Sequence, residues 1–390
     1  MPTSNTVIRA KNAAVLAKIE VTEGVDAAPV PGLDAVLVEN PKVKYEFETE
    51  TTSEAGGSLD SSAPIPGGTK VTVTFDVFLK GGGVAGTPPE YGKLLRACAM
   101  AETIVAAPIP AAPAAVTAGT TASVTLAGTA SAVAQAYRGL PITISGGVAN
   151  AAGTYPVADY TAGKVATLAA APAEAPDATS LWQVPACVSY VPVSGDVPSL
   201  TLYVYRDKKR VRVVGARGTV TVKMTSGKAG RLSFSFTGIF VDETDNAVPA
   251  GLVYDATRPP SWRDGRALLD RKVAAMASLS VAVNNKLTMP GNPNQAEGYD
   301  PPVITSRSIT GSCDPLATLV ATRSAIALMR AGTQQALVAE LGETPGNRAF
   351  ILCPAAQQTA HDTADREGLE ADSLSFSGTG LDCGLYITLF

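Results

Sequence analysis

KVTVTFDVFLK, residues 70–80, alternates throughout except at Phe78. Val71, Val73, Phe75, Val77 and Leu79 fall on one side of an extended chain, and Lys70, Thr72, Thr74, Asp76 and Lys80 on the other. Successive side chains of a β-strand point to opposite faces, so the pattern predicts a strand with one buried face. Residues 42–50, KVKYEFETE, do the same. Lys42, Lys44, Glu46, Glu48 and Glu50 form the charged face, and Val43, Tyr45, Phe47 and Thr49 the apolar one. The two segments read as a long hairpin. Its connection, 51–69, is longer than a hairpin needs, which marks it as functional or mobile.

Moving outward, Pro88-Pro89-Glu90 opens a helix with Thr87 as its cap and Tyr91, Leu94, Leu95, Cys98 and Ala99 on one face. From Ile104 to Ala115 the composition turns to Ala and Pro and reads as a linker. A segment rich in Ala, Thr, Gly and Val follows, with strands expected near 122–126, 141–145 and 164–168. Alternation resumes at 200–205, 219–224 and 232–237, an antiparallel meander. The last third repeats the order: strands at 279–283 and 303–312, a helix from Asp314-Pro315 to Gly332, then strands at 336–341, 349–353, 373–377 and 385–389. KAGRLSFSFTG at 228–238 echoes EADSLSFSG at 370–378. The fold class is therefore mainly β, with an internal duplication. Two tandem β domains each carry a flanking helix, and a small β domain is inserted in the first; two unrelated β domains are the alternative to a duplication. The expected boundaries are 1–103 and 185–260 for the first domain, 104–184 for the insertion and 261–390 for the second.

The 390 residues suffice for two or three cores. With 46% hydrophobic and 17% charged residues, the chain is too apolar for disorder and lightly charged for a free monomer. A net charge of −4 and a pI near 5.3 argue against tight nucleic-acid binding, which needs clustered Lys and Arg. The five cysteines, 98, 187, 313, 353 and 383, form no C-x-x-C pair, so neither a zinc site nor a disulfide framework is expected. No signal-peptide pattern opens the chain, and no run of about 18 apolar residues predicts a membrane span.

No catalytic constellation emerges. The single histidine, His361, sits beside Asp362 and Asp365 in a polar stretch. Catalytic triads and zinc sites need further partners, so it reads as a solvated loop residue. Gly81-Gly82-Gly83-Val84-Ala85-Gly86 fits G-x-G-x-x-G formally. The preceding strand is half polar, however, and two prolines remove helix-start amides, so it reads as a loop and no cofactor is implied. The basic run Arg206, Lys208, Lys209, Arg210, Arg212 and Arg217 could meet phosphate. A solvated hairpin tip or a subunit contact through Arg206, Lys208, Arg210 and Arg212 fits it better. Glu46, Glu48 and Glu50 are either solvent-facing charge or the lining of a passage that repels phosphate.

Three stretches, in order, carry a family resemblance. The first runs from Ala17-Lys18-Ile19-Glu20 and Glu23-Gly24 through the charged hairpin to Leu94-Leu95-Arg96-Ala97-Cys98. The second joins Tyr205-Arg206-Asp207, Gly215-Ala216-Arg217-Gly218 and 232–238. The third joins Ser306-Arg307, Thr310-Gly311, Gly346-Asn347-Arg348 and Cys353-Pro354. Together they resemble the major tail protein (tail tube protein) of long, non-contractile-tailed bacteriophages. The insertion is similar to modules of phage virion proteins through Tyr137–Ile142, Asp159-Tyr160 and 176–180.

The resemblance implies a non-enzymatic virion protein, made in the host cytoplasm, that assembles with itself and meets other tail proteins at the tube ends. It implies β-sandwich subunits in rings, with inner strands sharing one barrel. The rings stack through a long hairpin loop, here Ser53, Gly57, Asp60, Pro64 and Gly67, and DNA passes the lumen without specific binding. Two such domains per chain make a ring of three chains with six quasi-equivalent positions the expectation, with Glu46, Glu48 and Glu50 facing the lumen. An adhesin or glycan-binding β-sandwich array is the alternative.

Overall fold

The computed structural model describes residues 7–52, 60, 62–148, 150–263 and 265–390. Among them, strands dominate and the three helices are short. Eight strands lie side by side, all antiparallel: Glu39–Glu50, Ile65–Phe78, Arg231–Asp245, Lys209–Thr225, Met276–Ala282, Thr310–Pro315, Leu369–Gly378 and Ala349–Arg366. The first four come from before residue 246 and the last four from after residue 275. The echoed LSFS segments occupy the third strand of each set of four.

The alternation read in the sequence is the alternation of the sheet. One core-facing row crosses it as Val77, Leu232, Val222, Val281, Gly311 and Phe376. All but Gly311 are at most 3% exposed. Gly311 has a packing reason: a Cβ there would strike the Phe376 ring and the Ser280 carbonyl oxygen. Replacing it with valine should lower stability by about 1–3 kcal/mol, as overpacked cores do. A melting temperature equal to that of the native chain would refute this packing account.

Two long strands bend and supply a second layer. Lys209–Thr225 turns at Gly215, where φ is +65° and the register shifts. Its first part pairs with Leu200–Arg206, and that strand pairs with Ala13–Ile19. Ala349–Arg366 pairs early with Gln334–Leu341 and Tyr386–Leu389, and shifts register after Gln358. Tyr386–Leu389 pairs in turn with Cys187–Pro192, and that strand with Met100–Val105. One apolar cluster, from Val15 to Leu389, fills the space between the layers.

The two longer helices pack very differently from each other. Gly92–Ala97 buries Tyr91, Leu94, Leu95 and Cys98, the face expected. Its N-terminus has no side-chain cap, so Thr87 does not play that part. The other runs only from Ala325 to Ala331, capped by Ser324 and stopped by Gly332 at φ +63°. It does not start at Asp314-Pro315. Those residues end a strand, and the Asp314 carboxylate accepts from the Ala277 and Ser278 amides at 2.9 and 2.6 Å.

Residues 109–184 form a closed six-stranded barrel around Trp182, Tyr137 and Tyr160. The stretch read as a linker is instead two strands, Met100–Val105 and Ile109–Gly119. The second is a bent corner strand. It pairs with Ser180–Val184, shifts register, then turns to Ser123–Leu126, a place where prolines are tolerated. The barrel core is continuous with Leu268, Val338, Phe350, Leu352, Tyr386 and Phe390 of the second layer.

Candidate functional surface

The face of the eight-stranded sheet away from the core is a field of hydroxyls. One row across it reads Asp76, Ser233, Thr221, Ala282, Thr310 and Ser377. The next reads Lys223, Ser280, Ser312, Ser375 and Ala360. Thr74, Ser235 and Thr219 form a third. A shallow cleft lies on this face over Lys42, Thr74, Asp76, Thr221 and Ser233. Small hydroxyls are uncharged and satisfied by water, so apart from Lys42, Lys223 and Asp76 these rows offer no fixed charge, and they offer no apolar patch to hold a base.

The glutamate row lies at one end of this face and is not bare. Glu46 sits opposite Lys70 and accepts from Lys44 at 2.6 Å, while Lys70 donates to Glu48 at 2.7 Å. The hydrogen bond from Lys44 holds the Glu46 carboxyl below its ordinary range, and that from Lys70 does the same for Glu48. Glu50 is exposed opposite Ile65. Lys42, Lys44 and Lys70 thus balance the row, which is mixed in charge rather than acidic.

Phe47 and Thr49 were expected to be buried, but both are exposed, Phe47 by 68%. The reason is position. Glu39–Glu50 is an edge strand: among the described residues its only strand partner is Ile65–Phe78. Beyond Gln358, the other outer strand, Ala349–Arg366, pairs with Leu369–Gly378 alone. The sheet therefore ends in two open edges, each able to accept another strand.

Of the long connection, Ser53 and Gly57 lie outside the described residues. Asp60 and Pro64 are exposed, and Gly67 belongs to strand Ile65–Phe78 rather than to a loop. This loop end of the hairpin is braced on one side by the 290–300 loop: the Thr69 amide donates to Glu297 at 2.8 Å, and Lys70 lies over the Tyr299 ring.

Lys209, Arg212 and Arg217 of the basic run are matched by acids of strand Arg231–Asp245 and of the 20–38 connection. Arg212 bonds Asp242 through Nε at 2.7 Å and Asp26 through Nη1 at 3.1 Å. Lys209 pairs with Glu243 and Arg217 with Glu23. Arg206 donates to the Pro41 carbonyl, and Arg210 stacks over Tyr203. Matched in this way, the run is no phosphate cradle.

His361 is not in a loop. It lies on strand Ala349–Arg366, 3.0 Å from Asp372, which also binds Arg323 at 2.8 Å. No nucleophile stands in this trio. The glycine run is a tight joint rather than a loose loop: the Gly81 amide donates to Asn347 Oδ1 at 2.9 Å and the Gly83 amide to the Gly346 carbonyl at 3.2 Å. Sequence reading missed this joint, because its partner lies more than 260 residues away.

Among the described residues, no group of His, Cys, Asp and Glu could hold a metal ion, and no helix is long and apolar enough to cross a membrane. A search of curated proteins gave no match. A family model described as phage tail tube protein matches residues 10–380.

Proposed function

Because the chain belongs to the phage tail tube protein family, we propose that its eight-stranded sheet is one arc of a closed barrel whose hydroxyl face lines a DNA passage. The two open sheet edges carry this reading. Strand Glu39–Glu50 of one chain would pair with the 358–366 end of strand Ala349–Arg366 in the next, head to tail, and a ring leaves no edge exposed.

Barrel geometry favours three chains. Three chains of eight strands give 24; at about 4.8 Å spacing and about 40° tilt the backbone diameter is about 48 Å. Two chains would give about 32 Å before side chains fill the interior. In this reading, residues 1–103 with 185–260 and residues 261–390 are the two tube domains, and 104–184 is the insertion. Glu46, Glu48 and Glu50 stand on the lumen side with their lysines. Arg206, Lys208, Arg210 and Arg212 sit at a subunit contact. The chain makes rings that stack into the tail, with other tail proteins at the tube ends, and DNA reaches the host through the lumen.

Negative-stain microscopy of the concentrated protein is expected to show hollow tubes with a fixed axial repeat. A single ring should weigh three times the chain mass of 39.8 kDa. A ring of six chains would overturn the stoichiometry, and stable monomers at every concentration would overturn the tube itself. The 51–64 connection is assigned to contacts between rings. Deleting residues 53–63 is therefore expected to leave rings that no longer stack; tubes of normal length would refute that role.

A further inference from the structure

The two parts of the chain cover their helices differently. In the first, Tyr91, Leu94, Leu95, Ala97 and Cys98 on and beside helix Gly92–Ala97 are fully buried. Residues 20–38, which connect strand Ala13–Ile19 to strand Glu39–Glu50, lie against it: Lys93 reaches Asp34 at 3.5 Å, and the Leu37 amide donates to Glu90. In the second part, the connection at the matching place, between strands Ala267–Leu269 and Met276–Ala282, has shrunk to residues 270–275. Of helix Ala325–Ala331 only Ala325 is buried. What remains is an apolar groove between that short connection and the helix, lined by Val273, Val320, Ala327, Leu328, Ala331 and Thr333. Val273 is 80% and Val320 77% exposed. Apolar surface collected in a concave patch marks an interaction site.

The molecule contains a pattern for what fits such a place. Where the sheet passes from the first part to the second, the second part supplies strand Met276–Ala282 and the hairpin that follows it, Asn285–Thr288 with Val303–Arg307. That hairpin lies on the first part just beyond its helix. Asn285 donates to the Cys98 carbonyl at 2.8 Å, Arg217 to the Pro302 carbonyl at 2.8 Å, and Arg307 to the Val193 carbonyl at 2.9 Å. If the sheet continues into another chain, strand Glu39–Glu50 takes the place of Met276–Ala282. The hairpin that follows it is the overhang made by the ends of Glu39–Glu50 and Ile65–Phe78. This overhang leaves Phe47 exposed, with Ile65 at 52%. Phe47 follows Val43 and Tyr45 on the core side of the sheet, the side on which helix Ala325–Ala331 packs.

We propose that the groove beside helix Ala325–Ala331 receives the Phe47 hairpin of a second copy of this chain, the next one around the ring. The proposal rests on the head-to-tail ring but concerns residues distinct from the paired sheet edges. It explains two unpartnered apolar surfaces with one contact and makes the joint between chains a repeat of the joint within a chain.

The test uses the full chain and two exposed positions. Ala327→Arg fills the groove and Phe47→Asp removes the apolar tip. Each variant is expected to keep the native melting temperature and remain a monomer, with tube yield reduced at least tenfold. Mixed in equal amounts, the two should form dimers of twice 39.8 kDa and nothing longer, because each pair retains one intact groove with one intact hairpin. Variants that build tubes as the native chain does, or a mixture that stays monomeric like its components, overturn the proposal. A native chain that builds no rings overturns the ring reading, and this interface with it.

Discussion

Excising residues 106–186 and joining Val105 to Cys187 through an Asn-Gly turn is expected to shift the chain into the insoluble fraction relative to the native one. The excision itself adds no strain, because Val105 and Cys187 are directly opposed on neighbouring antiparallel strands and Asn-Gly suits a two-residue hairpin. What fails is the surface left behind. Leu268, Val338, Phe350, Leu352 and Tyr386 are at most 3% exposed and pack in one cluster with the barrel. Burying such side chains contributes about 1.5–3 kcal/mol each. Five of them match the whole stability of a typical domain, about 5–15 kcal/mol. In the first part, Val248, Leu252 and Tyr254 cover the corresponding outer face at Leu16, Tyr203 and Tyr205. The second part has no such segment and uses the barrel. The soluble fraction after lysis checks this: a deleted chain that stays soluble and builds tubes would show the barrel to be a detachable ornament.

The second large effect concerns the hydroxyl face. Thr221→Arg, Ser235→Arg and Ser375→Arg together place three cations per chain on it, and nine per ring of three. Ser375 is exposed and Thr221 and Ser235 are half-buried with their side chains on the hydroxyl face, so folding and tube yield are expected to hold, surface changes of this kind staying within about 0.5 kcal/mol. DNA handling should change sharply. Each phosphate neutralised steepens the salt dependence of binding by about 0.9 in log–log slope. Tubes of the variant should therefore hold duplex fragments at about 50 mM salt and release them as salt rises, while native tubes hold none. Nuclease resistance of the held DNA tells lumen from outer wall. Arginine tubes that retain no more DNA than native ones, or retain it only where nuclease cuts it, would place this face elsewhere. A phage carrying the variant should assemble tails yet deliver DNA orders of magnitude more slowly.

Much of this architecture was legible because strand burial has a period of two. Val71 to Leu79 and Leu232 to Phe236 declare both their conformation and their buried side. The family resemblance carried the functional reading, since alternation alone marks a β-protein and not its task. What stayed illegible depended on partners distant in sequence. The glutamate row reads as acidic until Lys70 is placed beside it by the hairpin. The basic run reads as a free patch until Asp242 arrives from the neighbouring strand and Glu23 and Asp26 from the 20–38 connection. Asp314-Pro315 is a good helix start locally, but pairing with Met276–Ala282 and the amides of Ala277 and Ser278 hold it in a strand end. The Ala/Pro stretch after Ile104 has no period at all, because a bent barrel strand faces different neighbours along its length.

The wiring of the second layer also sets how fast a tail can be supplied. Ala13 pairs with Arg206, and Val188 with Leu389. Neither pairing can form by local zippering, and closing such long loops costs entropy before any contact returns it. Folding should be slow, governed by the search for these distant partners, and the growing chain must keep its open sheet edges and apolar groove from meeting other half-folded copies meanwhile. The features proposed to join a finished subunit to its neighbours are hazards during its synthesis. Tail production is therefore expected to be limited by the rate of subunit maturation, and to respond to host chaperone capacity more than to the strength of the contacts between finished rings.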